Sequence, residues 1–225
     1  MSATFTGVIA IDGPSGSGKS SVSRAVAQRL GLRYLDTGAM YRAVTFGAMM
    51  AGIDVEDQGA VEQYARRMEL FVPTDPQRQV IVLEGRDITN DIRTSAVSLT
   101  VSAIATNLAV RRELITRQQQ IVAAGRAIVL EGRDTTTVVA PDADVRILIT
   151  ADEDSRIARR TAELHAEVSS TTMAQTSSQI ADRDRRDSTV ASFQTAAEGV
   201  ITLDTSHLDL EQTIEAVLQI VRDRA

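Results

Sequence analysis

The sequence predicts an α/β protein in which a five-stranded parallel sheet is flanked by helices on both sides. Five short aliphatic runs without polar alternation are typical of strands that are buried on both faces of such a sheet. The runs lie at residues 8–11, 34–35, 127–130, 145–149 and 200–203, and helical patterns separate them. Ligands of such sheets bind at the carboxyl ends of the strands, so we expect functional residues in the polar segments that follow the runs.

A glycine-rich loop joins the first strand to the first helix. Residues 13–20 read Gly-Pro-Ser-Gly-Ser-Gly-Lys-Ser, and a helical pattern starts near Ser20 and ends near Leu30. This is a P-loop (G-x-x-x-x-G-K-[ST]) in its required place between a strand and a helix. Its backbone N–H groups and the positive end of the helix dipole favour phosphate. The loop predicts a site for a nucleoside triphosphate, with Lys19 on the β- and γ-phosphates and the Ser20 hydroxyl on Mg²⁺.

Lysine usage points to the same loop. Lysine and arginine together number 24, and Lys19 is the single lysine among them. A compact ammonium group suits a nest of phosphate oxygens better than a planar guanidinium does. The alternative is a Gly/Ser-rich turn that matches the motif by accident, and both the lone lysine and the flanking strand and helix disfavour it.

Composition and charge exclude several classes of function. The net charge of −6 and the pI near 5.0 argue against a protein that binds nucleic acid. The chain has no cysteine, which excludes disulfides, cysteine nucleophiles and thiolate metal sites. Neither signal-peptide features nor an apolar run of roughly 20 residues is visible, so we expect a cytoplasmic protein with no membrane partner. We also expect a monomer, because no heptad pattern or apolar patch stands out.

The middle of the chain interrupts the alternation of strands and helices. Two apolar runs, 70–72 and 80–83, flank a Pro-Thr-Asp-Pro turn and predict a β-hairpin. We expect this hairpin to belong to an inserted subdomain, about residues 57–94, within a single domain of residues 1–225. Helical patterns surround it, at about 40–50, 57–68 and 94–123.

The window 156–187 is rich in arginine. Arg156, Arg159 and Arg160 fall on a helical pattern, and Arg-Asp-Arg-Arg-Asp follows at 183–187. Such a charge run can be a solvated, salt-bridged pair of helices. Beside a P-loop we favour a mobile lid, because phosphoryl transfer needs cations that close over the phosphates and exclude water. The last helical pattern, 209–224, is amphipathic and is predicted to be structural.

Two other strand ends carry arginines that could hold a second anionic substrate. Arg42 is placed on the first turn of a helix that follows the second strand, and Arg133 follows the third. Two arginines that converge on one side of a crevice make a good site for a monophosphate, through bidentate hydrogen bonds. Alternatively, Asp36 or Thr37 is only a helix N-cap and Arg42 lies at the surface.

The pentapeptide Leu-Glu-Gly-Arg-Asp occurs twice, at 83–87 and at 130–134. The flanking sequences do not match, so the chain contains no longer repeat. Only the second copy lies at the end of a core strand. We therefore interpret the first copy as part of the hairpin and the second as part of the site.

Five sequence blocks together resemble the bacterial cytidylate kinase family. They are Ile-Asp-Gly-Pro-Ser-Gly-Ser-Gly-Lys-Ser, Leu-Asp-Thr-Gly-Ala-Met-Tyr-Arg, Asp-Ile-Arg-Thr, Glu-Gly-Arg-Asp with Val-Val-Ala-Pro-Asp-Ala, and Arg-Asp-Arg-Arg-Asp-Ser. The resemblance covers essentially the whole chain in order, including the inserted hairpin that marks the bacterial type. It implies the fold of P-loop nucleoside monophosphate kinases, with an NMP-binding insert and a mobile lid. It also implies transfer of the γ-phosphoryl group of Mg²⁺-bound ATP to CMP or dCMP.

The resemblance also implies roles for individual residues. The ATP site comprises Gly13, Pro14, Ser15, Gly16, Ser17, Gly18, Lys19, Ser20, Ser21, Arg156, Arg159 and Arg160. The CMP site comprises Thr37, Arg42, Ser102, Arg111, Arg133, Asp134, Arg183 and Asp187. Within it, Arg42 and Arg133 hold the phosphate, Thr37, Arg111 and Asp134 read the cytosine, and Ser102, Arg183 and Asp187 bind the sugar. Lys19, Arg42, Arg133 and Arg183 carry the catalytic charge.

The chain departs from the family pattern at three positions. Thr136 stands where the family usually has glycine, Ala140 where it has an aromatic residue, and Val190 where it has a lid arginine. We expect Arg185 or Arg186, on the same segment, to take over from the missing arginine. Two alternatives remain open: a kinase of the same fold for UMP, AMP or shikimate, and a nucleotide-binding module without catalysis.

Overall fold

The computed structural model describes residues 5–125, 127–164 and 169–224. Its strands and helices follow in chain order as β1 (Val8–Asp12), α1 (Lys19–Leu30), β2 (Arg33–Asp36), α2 (Thr37–Met50), α3 (Gln58–Arg67), β3 (Leu70–Phe71), β4 (Val82–Leu83), β5 (Arg86–Asp87), α4 (Ser95–Thr106), α5 (Leu108–Ala123), β6 (Ile128–Gly132), β7 (Val145–Thr150), α6 (Glu153–Leu164), α7 (Ser170–Asp187), β8 (Ile201–Asp204) and α8 (Leu210–Arg224). A 3₁₀ turn at Asp91–Arg93 precedes α4, and a π-helical turn at Thr135–Val139 follows β6.

The central sheet has five parallel strands in the spatial order β2-β6-β1-β7-β8. Each strand overlaps its predicted run, so the predicted five-stranded parallel sheet is confirmed. The register pairs Asp12 with Gly132 and Asp36 with Glu131. The polar residues that end β1, β2 and β6 therefore lie level at one edge of the sheet.

Burial on both faces explains why the strands lack polar alternation. Val8 and Ala10 of β1 pack with helices α2 to α5 on one face, while Ile9 and Ile11 pack with α1 and α8 on the other. All four side chains are at most 4% exposed. Burying an aliphatic side chain of this size contributes roughly 1.5–3 kcal/mol, so both faces of the sheet stabilise the floor of the candidate site.

The insert contains one more strand than the sequence predicted. β3 and β4 pair antiparallel at the predicted positions, and β5 pairs with β4 to complete a three-stranded sheet. The turn between β4 and β5 is Glu84-Gly85, with φ values of +50° and +76°. Two residues with positive φ make a tight hairpin connection of the kind that glycine favours. The first copy of the repeated pentapeptide contains this turn. Its interpretation as part of a hairpin is therefore confirmed.

The helical region predicted at 94–123 consists of two helices, α4 and α5, separated by Asn107. The Asn107 side chain accepts hydrogen bonds from the N–H groups of Ala109 and Val110, at 3.0 and 3.3 Å, and caps the second helix. Its amide group donates to the Gln58 carbonyl at 2.9 Å. A buried asparagine that can satisfy a new helix start in this way ends the preceding helix.

The predicted lid window contains α6 and α7, which pack against each other, and α7 also packs against α4, the helix that follows the insert. Residues 165–168 of that window lie outside the described residues. Within the ranges that the structure describes, no helix is long and apolar enough to cross a membrane.

Candidate active site

A cavity of about 370 Å³ opens at the carboxyl edge of the sheet. The P-loop, the first turns of α2, the end of β6, the insert and the lid window all contribute to its wall. The predicted site residues on this wall are Ser15, Gly16, Gly18, Lys19, Ser20, Ser21, Thr37, Arg42, Arg111, Arg133, Asp134, Arg160, Arg183 and Asp187. The structure thus brings most of the predicted donor and acceptor residues to one cavity.

Six predicted site residues are not on the wall: Gly13, Pro14, Ser17, Ser102, Arg156 and Arg159. Gly13 lies under the loop, where a Cβ would sit 2.4 Å from the Ile149 carbonyl oxygen. Ser102 is 3% exposed on α4, and its neighbours Val101 and Ala105 line the cavity instead. Ser102, which was predicted to contact the sugar, is therefore buried beside the cavity and does not line it.

The P-loop has the backbone conformation that its glycines allow. Gly16 and Gly18 have φ values of +76° and +84°, a region that residues with a Cβ rarely adopt. Gly18 is also the N-cap residue of α1, and the N–H groups of the first turn of a helix have no partner within the helix. This first turn lies at the cavity. Lys19 begins α1 and donates from Nζ to the Pro14 carbonyl at 3.2 Å. These features build an anion site from backbone and one ammonium group.

Glu131 is the main wall residue to which the sequence analysis gave no role. Its side chain accepts a hydrogen bond from the Ser20 hydroxyl at 2.7 Å and is only 2% exposed. Burial, followed by repulsion from Asp36, raises the pKa of Glu131 to about 7. Burial also lowers the pKa of Lys19, although the Glu131 charge opposes that shift. A sequence signal was available, because Glu131 ends a strand predicted to lie in the same sheet as the strand of the P-loop.

Asp36 and Arg42 form an ion pair beside Glu131. The Arg42 Nη2 lies 2.7 Å from Asp36 Oδ2, and the other Asp36 oxygen caps α2 by accepting from the Ala39 N–H at 2.8 Å. Burial alone would raise the pKa of Asp36, but Arg42 and the Ala39 N–H together hold it below its usual range. Because Asp36 is the cap, α2 begins at Thr37, and Arg42 lies on its second turn rather than on the predicted first turn. Asp36 is thus an N-cap, and Arg42 nevertheless faces the cavity.

Thr37, Arg111 and Asp134 all line the cavity. Arg111 and Asp134 form a close ion pair in which both residues are less than 10% exposed. Burial raises the pKa of Asp134 even though Arg111 opposes the shift. The Thr37 hydroxyl donates to the Glu131 carbonyl at 2.7 Å, so toward a ligand it offers an acceptor. The three residues predicted to read a base thus line one cavity, and two of them are paired.

A second carboxylate without a predicted role, Asp184, joins the lid window to the P-loop. It accepts from the Ser15 N–H at 3.3 Å and from Arg156 Nη1 at 2.6 Å, and it lies 3.1 Å from Arg133 Nη2. Arg133 also pairs closely with Asp187, and its guanidinium stacks 4.5 Å from the centre of the Phe193 ring. Two lid carboxylates thus hold the arginine that was predicted to bind the acceptor phosphate.

The predicted lid arginines divide into two groups. Arg156 and Arg159 donate to P-loop carbonyls, those of Ser15 at 3.1 Å and Ser17 at 3.4 Å, and therefore brace the loop from outside the cavity. Arg160 reaches the wall, where Glu163 pairs with it at 2.7 Å. Of the three arginines predicted to lie near the ATP phosphates and adenine, Arg160 lines the cavity, whereas Arg156 and Arg159 contact the P-loop backbone.

Position 190 is on the cavity wall, and its occupant is a valine. Arg185 pairs with Asp182 and its side chain is 73% exposed, while Arg186 is exposed and does not reach this cavity. Neither of the two arginines expected to replace the missing one therefore lines this cavity. Arg183 does face the cavity, and burial and the neighbouring Arg133 lower its pKa to about 9.

The donor set fits a divalent cation that arrives with phosphate groups. In the described part of the chain, no group of three or more histidine, aspartate and glutamate side chains could hold a metal ion by itself. The Ser20 hydroxyl and the Glu131 carboxylate, 2.7 Å apart, are hard oxygen ligands on the wall beside Lys19. Mg²⁺ in kinases is bound by one or two protein oxygens plus phosphates and water, which matches this pair.

Comparison with known proteins gives one consistent result. Residues 9–223 match the family model described as Cytidylate kinase. A relative named Cytidylate kinase from Cutibacterium acnes is 50% identical over 216 residues, which cover 95% of each chain. Another of the same name from Streptomyces avermitilis is 43% identical over 219 residues, covering 96% of this chain and 93% of the relative.

Among solved structures, an uncharacterized protein from Eubacterium ventriosum superposes with a TM-score of 0.52 at 9% sequence identity. The alignment covers 97% of this chain and 99% of that one. At such low identity the likeness concerns the fold alone.

Proposed function

This chain belongs to the cytidylate kinase family, and on that premise we propose that it transfers the γ-phosphoryl group of ATP to CMP or dCMP. The products are ADP and CDP or dCDP. The observation that carries the proposal is the convergence in one cavity of the P-loop lysine, Arg42, Arg133 and a buried Arg111–Asp134 pair. The first element suits the triphosphate donor, and the others suit a monophosphate acceptor that bears a polar base.

The donor site is proposed to be the P-loop with Lys19, Ser20 and Arg160. The loop N–H groups and Lys19 donate hydrogen bonds to the oxygens of the phosphate chain at the N-terminus of α1. Arg156 and Arg159 act on the loop carbonyls and keep the loop in its binding conformation. Ser20 and Glu131 are proposed to hold Mg²⁺ together with the phosphates. When bound, the ion neutralises charge on the oxygens of the transferring group.

The acceptor site is proposed to be the opposite half of the cavity. Arg42 and Arg133 bind the phosphate of CMP, and Arg133 exchanges the lid carboxylates for phosphate oxygens as it does so. The Arg111–Asp134 pair presents both a donor and an acceptor to the cytosine edge, which distinguishes cytosine from uracil. Arg183 and Asp187, which belong to the lid window and line the cavity, are proposed to bind the sugar.

Catalysis in this arrangement needs no covalent intermediate and no strong base. An oxygen of the acceptor phosphate attacks the γ-phosphorus, and the bond from that phosphorus to the oxygen bridging to the β-phosphate breaks. Lys19, Arg42, Arg133 and Arg183 surround the transferring group and stabilise its charge in a site that is largely closed to water. Movement of the lid window is proposed to admit the substrates and then to exclude water as an acceptor. We further propose that the enzyme acts in the cytoplasm as a monomer.

The test is an ADP-release assay with Mg·ATP and a panel of CMP, dCMP, UMP, AMP and shikimate. Turnover that is far faster with CMP and dCMP is the expected result. Activity led by UMP, AMP or shikimate would overturn the base-reading role of Arg111 and Asp134. A tight ATP complex with no turnover on any acceptor would instead identify a nucleotide-binding module. In the same assay Lys19→Ala should abolish transfer while leaving the circular dichroism spectrum unchanged.

Arg42→Ala separates the two halves of the cavity. Because Arg42 lies on the acceptor side, its loss should raise the KM for CMP tenfold or more and change the KM for ATP much less. A larger change in the KM for ATP would mean that the donor and acceptor halves have been assigned the wrong way round.

A further inference from the structure

Asp12 is a buried carboxylate that accepts four hydrogen bonds. It is the last residue of β1 and is 1% exposed. Its Oδ1 accepts from the Thr135 N–H at 2.8 Å and from the Thr135 hydroxyl at 2.7 Å. Its Oδ2 accepts from the Thr136 N–H at 2.8 Å and from the Thr136 hydroxyl at 2.6 Å. Each oxygen thus receives one backbone and one side-chain donor, and this arrangement fixes the orientation of the carboxylate.

The two threonines are themselves buried and open the π-helical turn that follows β6. Thr135 is fully buried and Thr136 is 3% exposed. The Asp134 carbonyl accepts from the Val138 N–H at 2.8 Å, which closes the turn directly behind the site residue. The backbone of this turn therefore cannot shift without moving Asp134.

The chain positions of these residues connect the two halves of the cavity. Asp12 immediately precedes Gly13, the first residue of the P-loop, and the threonines immediately follow Arg133 and Asp134. Ladder pairing between β1 and β6 ends at Asp12 and Gly132. The four hydrogen bonds continue this connection beyond the strand pairing. At this point the segment after β1 turns to the donor half of the cavity, and the segment after β6 turns to the acceptor half.

We propose that Asp12, Thr135 and Thr136, together called the Asp12 clamp, form a positioning device that sets the acceptor segment relative to the P-loop. The inference rests on the proposed function, since it takes Arg133 and Asp134 as acceptor-binding residues. Asp12 does not line the cavity and touches neither substrate; it acts through the backbone of the residues that do. In-line transfer is sensitive to such placement, because a displacement of about 1 Å can cost 10²-fold in rate.

The clamp predicts a specific kinetic signature. Each half of the cavity keeps its own ligands when the clamp is weakened, so the affinities for ATP and CMP should change little. The relative placement of the two phosphates deteriorates, so the rate of the chemical step should fall. A purely structural role would instead lower thermal stability, and it would leave the rate of transfer in the folded enzyme unchanged.

The test uses the double variant Thr135→Val/Thr136→Val, which removes both hydroxyl donors, keeps side-chain shape and leaves both N–H donors in place. Single-turnover transfer from ATP to CMP is followed by rapid quench, and dissociation constants for each nucleotide are measured by calorimetry. We expect the rate to fall tenfold or more while both dissociation constants stay within about twofold of wild type. Thr135→Ser/Thr136→Ser restores both hydroxyls and should recover the rate.

Thr213→Val is the matched control, because Thr213 is a buried threonine on α8 whose hydroxyl donates to the Asp209 carbonyl at 2.8 Å. It should leave the single-turnover rate unchanged. Should the double valine variant fail to fold, each single valine variant is compared with its serine counterpart, and a threefold loss in the valine form alone supports the clamp. An unchanged rate in the valine variants, or a loss carried by the dissociation constants, would overturn the inference. Absence of transfer by the wild-type protein in the same assay would instead refute the proposed function.

Discussion

Replacing Glu131 by glutamine should make the unloaded protein more stable at pH 8 and less active at the same time. The Glu131 carboxyl group is 2% exposed and lies beside the Asp36 carboxylate, and its pKa rises from 4.5 to about 7. Glutamine has nearly the same shape as the protonated side chain. It can still donate to Asp36, and it carries no charge at any pH.

The magnitude follows from the shift in pKa. The folded protein binds this proton more tightly than the unfolded chain does, so the stabilising contribution of the proton is complete below about pH 4.5. It is lost as the pH rises through about 7. At about 1.4 kcal/mol per pH unit, the loss amounts to about 3 kcal/mol in the free energy of unfolding. Glu131→Gln should not show this loss, and it should therefore exceed the wild type by most of that amount at pH 8.

The assay is urea unfolding at pH 5 and pH 8, without nucleotide and with EDTA present. The difference between Glu131→Gln and wild type should grow between the two pH values. Glu113→Gln is the matched control, because Glu113 is a partly exposed glutamate of α5 in a 2.8 Å pair with Arg117. Its effect should stay below about 1 kcal/mol at both pH values. Equal pH dependence of the wild type and Glu131→Gln would refute the reasoning.

The activity of Glu131→Gln should move in the opposite direction. In the proposed mechanism Glu131 would hold Mg²⁺ together with Ser20, from whose hydroxyl its carboxylate accepts a hydrogen bond, and its charge also offsets that of Lys19. Loss of one such electrostatic contact commonly lowers kcat by roughly 10²–10³. A variant that gained stability at pH 8 and kept the wild-type kcat would remove Glu131 from the proposed mechanism.

Two further perturbations test the geometry of the cavity. Arg111→Ala leaves the Asp134 charge buried without its partner, so we expect a loss of about 3–5 kcal/mol in the free energy of unfolding. The double variant Arg111→Ala/Asp134→Ala should recover part of this loss. If the losses of the two single variants simply add in urea unfolding, the two side chains are not directly coupled. The loop requires a positive φ at Gly16, which alanine adopts only with strain, and the alanine Cβ would lie 2.5 Å from the Arg156 carbonyl oxygen. We therefore expect Gly16→Ala to raise the KM for ATP at least tenfold. Gly52→Ala is its control, because Gly52 has a φ of +67° but open space around it; it should cost about 1 kcal/mol in stability and leave the KM for ATP unchanged, and equal KM values in both variants would show that the Arg156 contact does not matter.

The sheet and the P-loop could be predicted because their signals are local. Aliphatic runs without polar alternation indicate strands that are buried on both faces, whichever strand lies beside them. The glycine spacing of residues 13–20 is that of a P-loop, which has one characteristic loop conformation. Arg42 and Arg133 could also be placed, since the ends of parallel strands meet at one edge of the sheet. These predictions needed only the order of the elements.

The remaining features depend on contacts between distant segments. Asp184 lies in a run of charged residues that is typical of a solvent-exposed helix. In the structure it is buried because Ser15, Arg133 and Arg156 contact it from three separate segments. The capping role of Asn107 depends on contact with Gln58, which is 49 residues away. Such partners are specified by tertiary packing, so the residue types alone carry no sign of them.

The lone lysine gives the chain a property that can be used at the bench. A protease that cuts only after lysine has a single target in all 225 residues, the bond between Lys19 and Ser20. That bond lies in the first turn of α1, inside the P-loop, and the loop must open before a protease can reach it. Cleavage into fragments 1–19 and 20–225 therefore reports the opening of one loop, and protection by a bound nucleotide can be read from a single band on a gel.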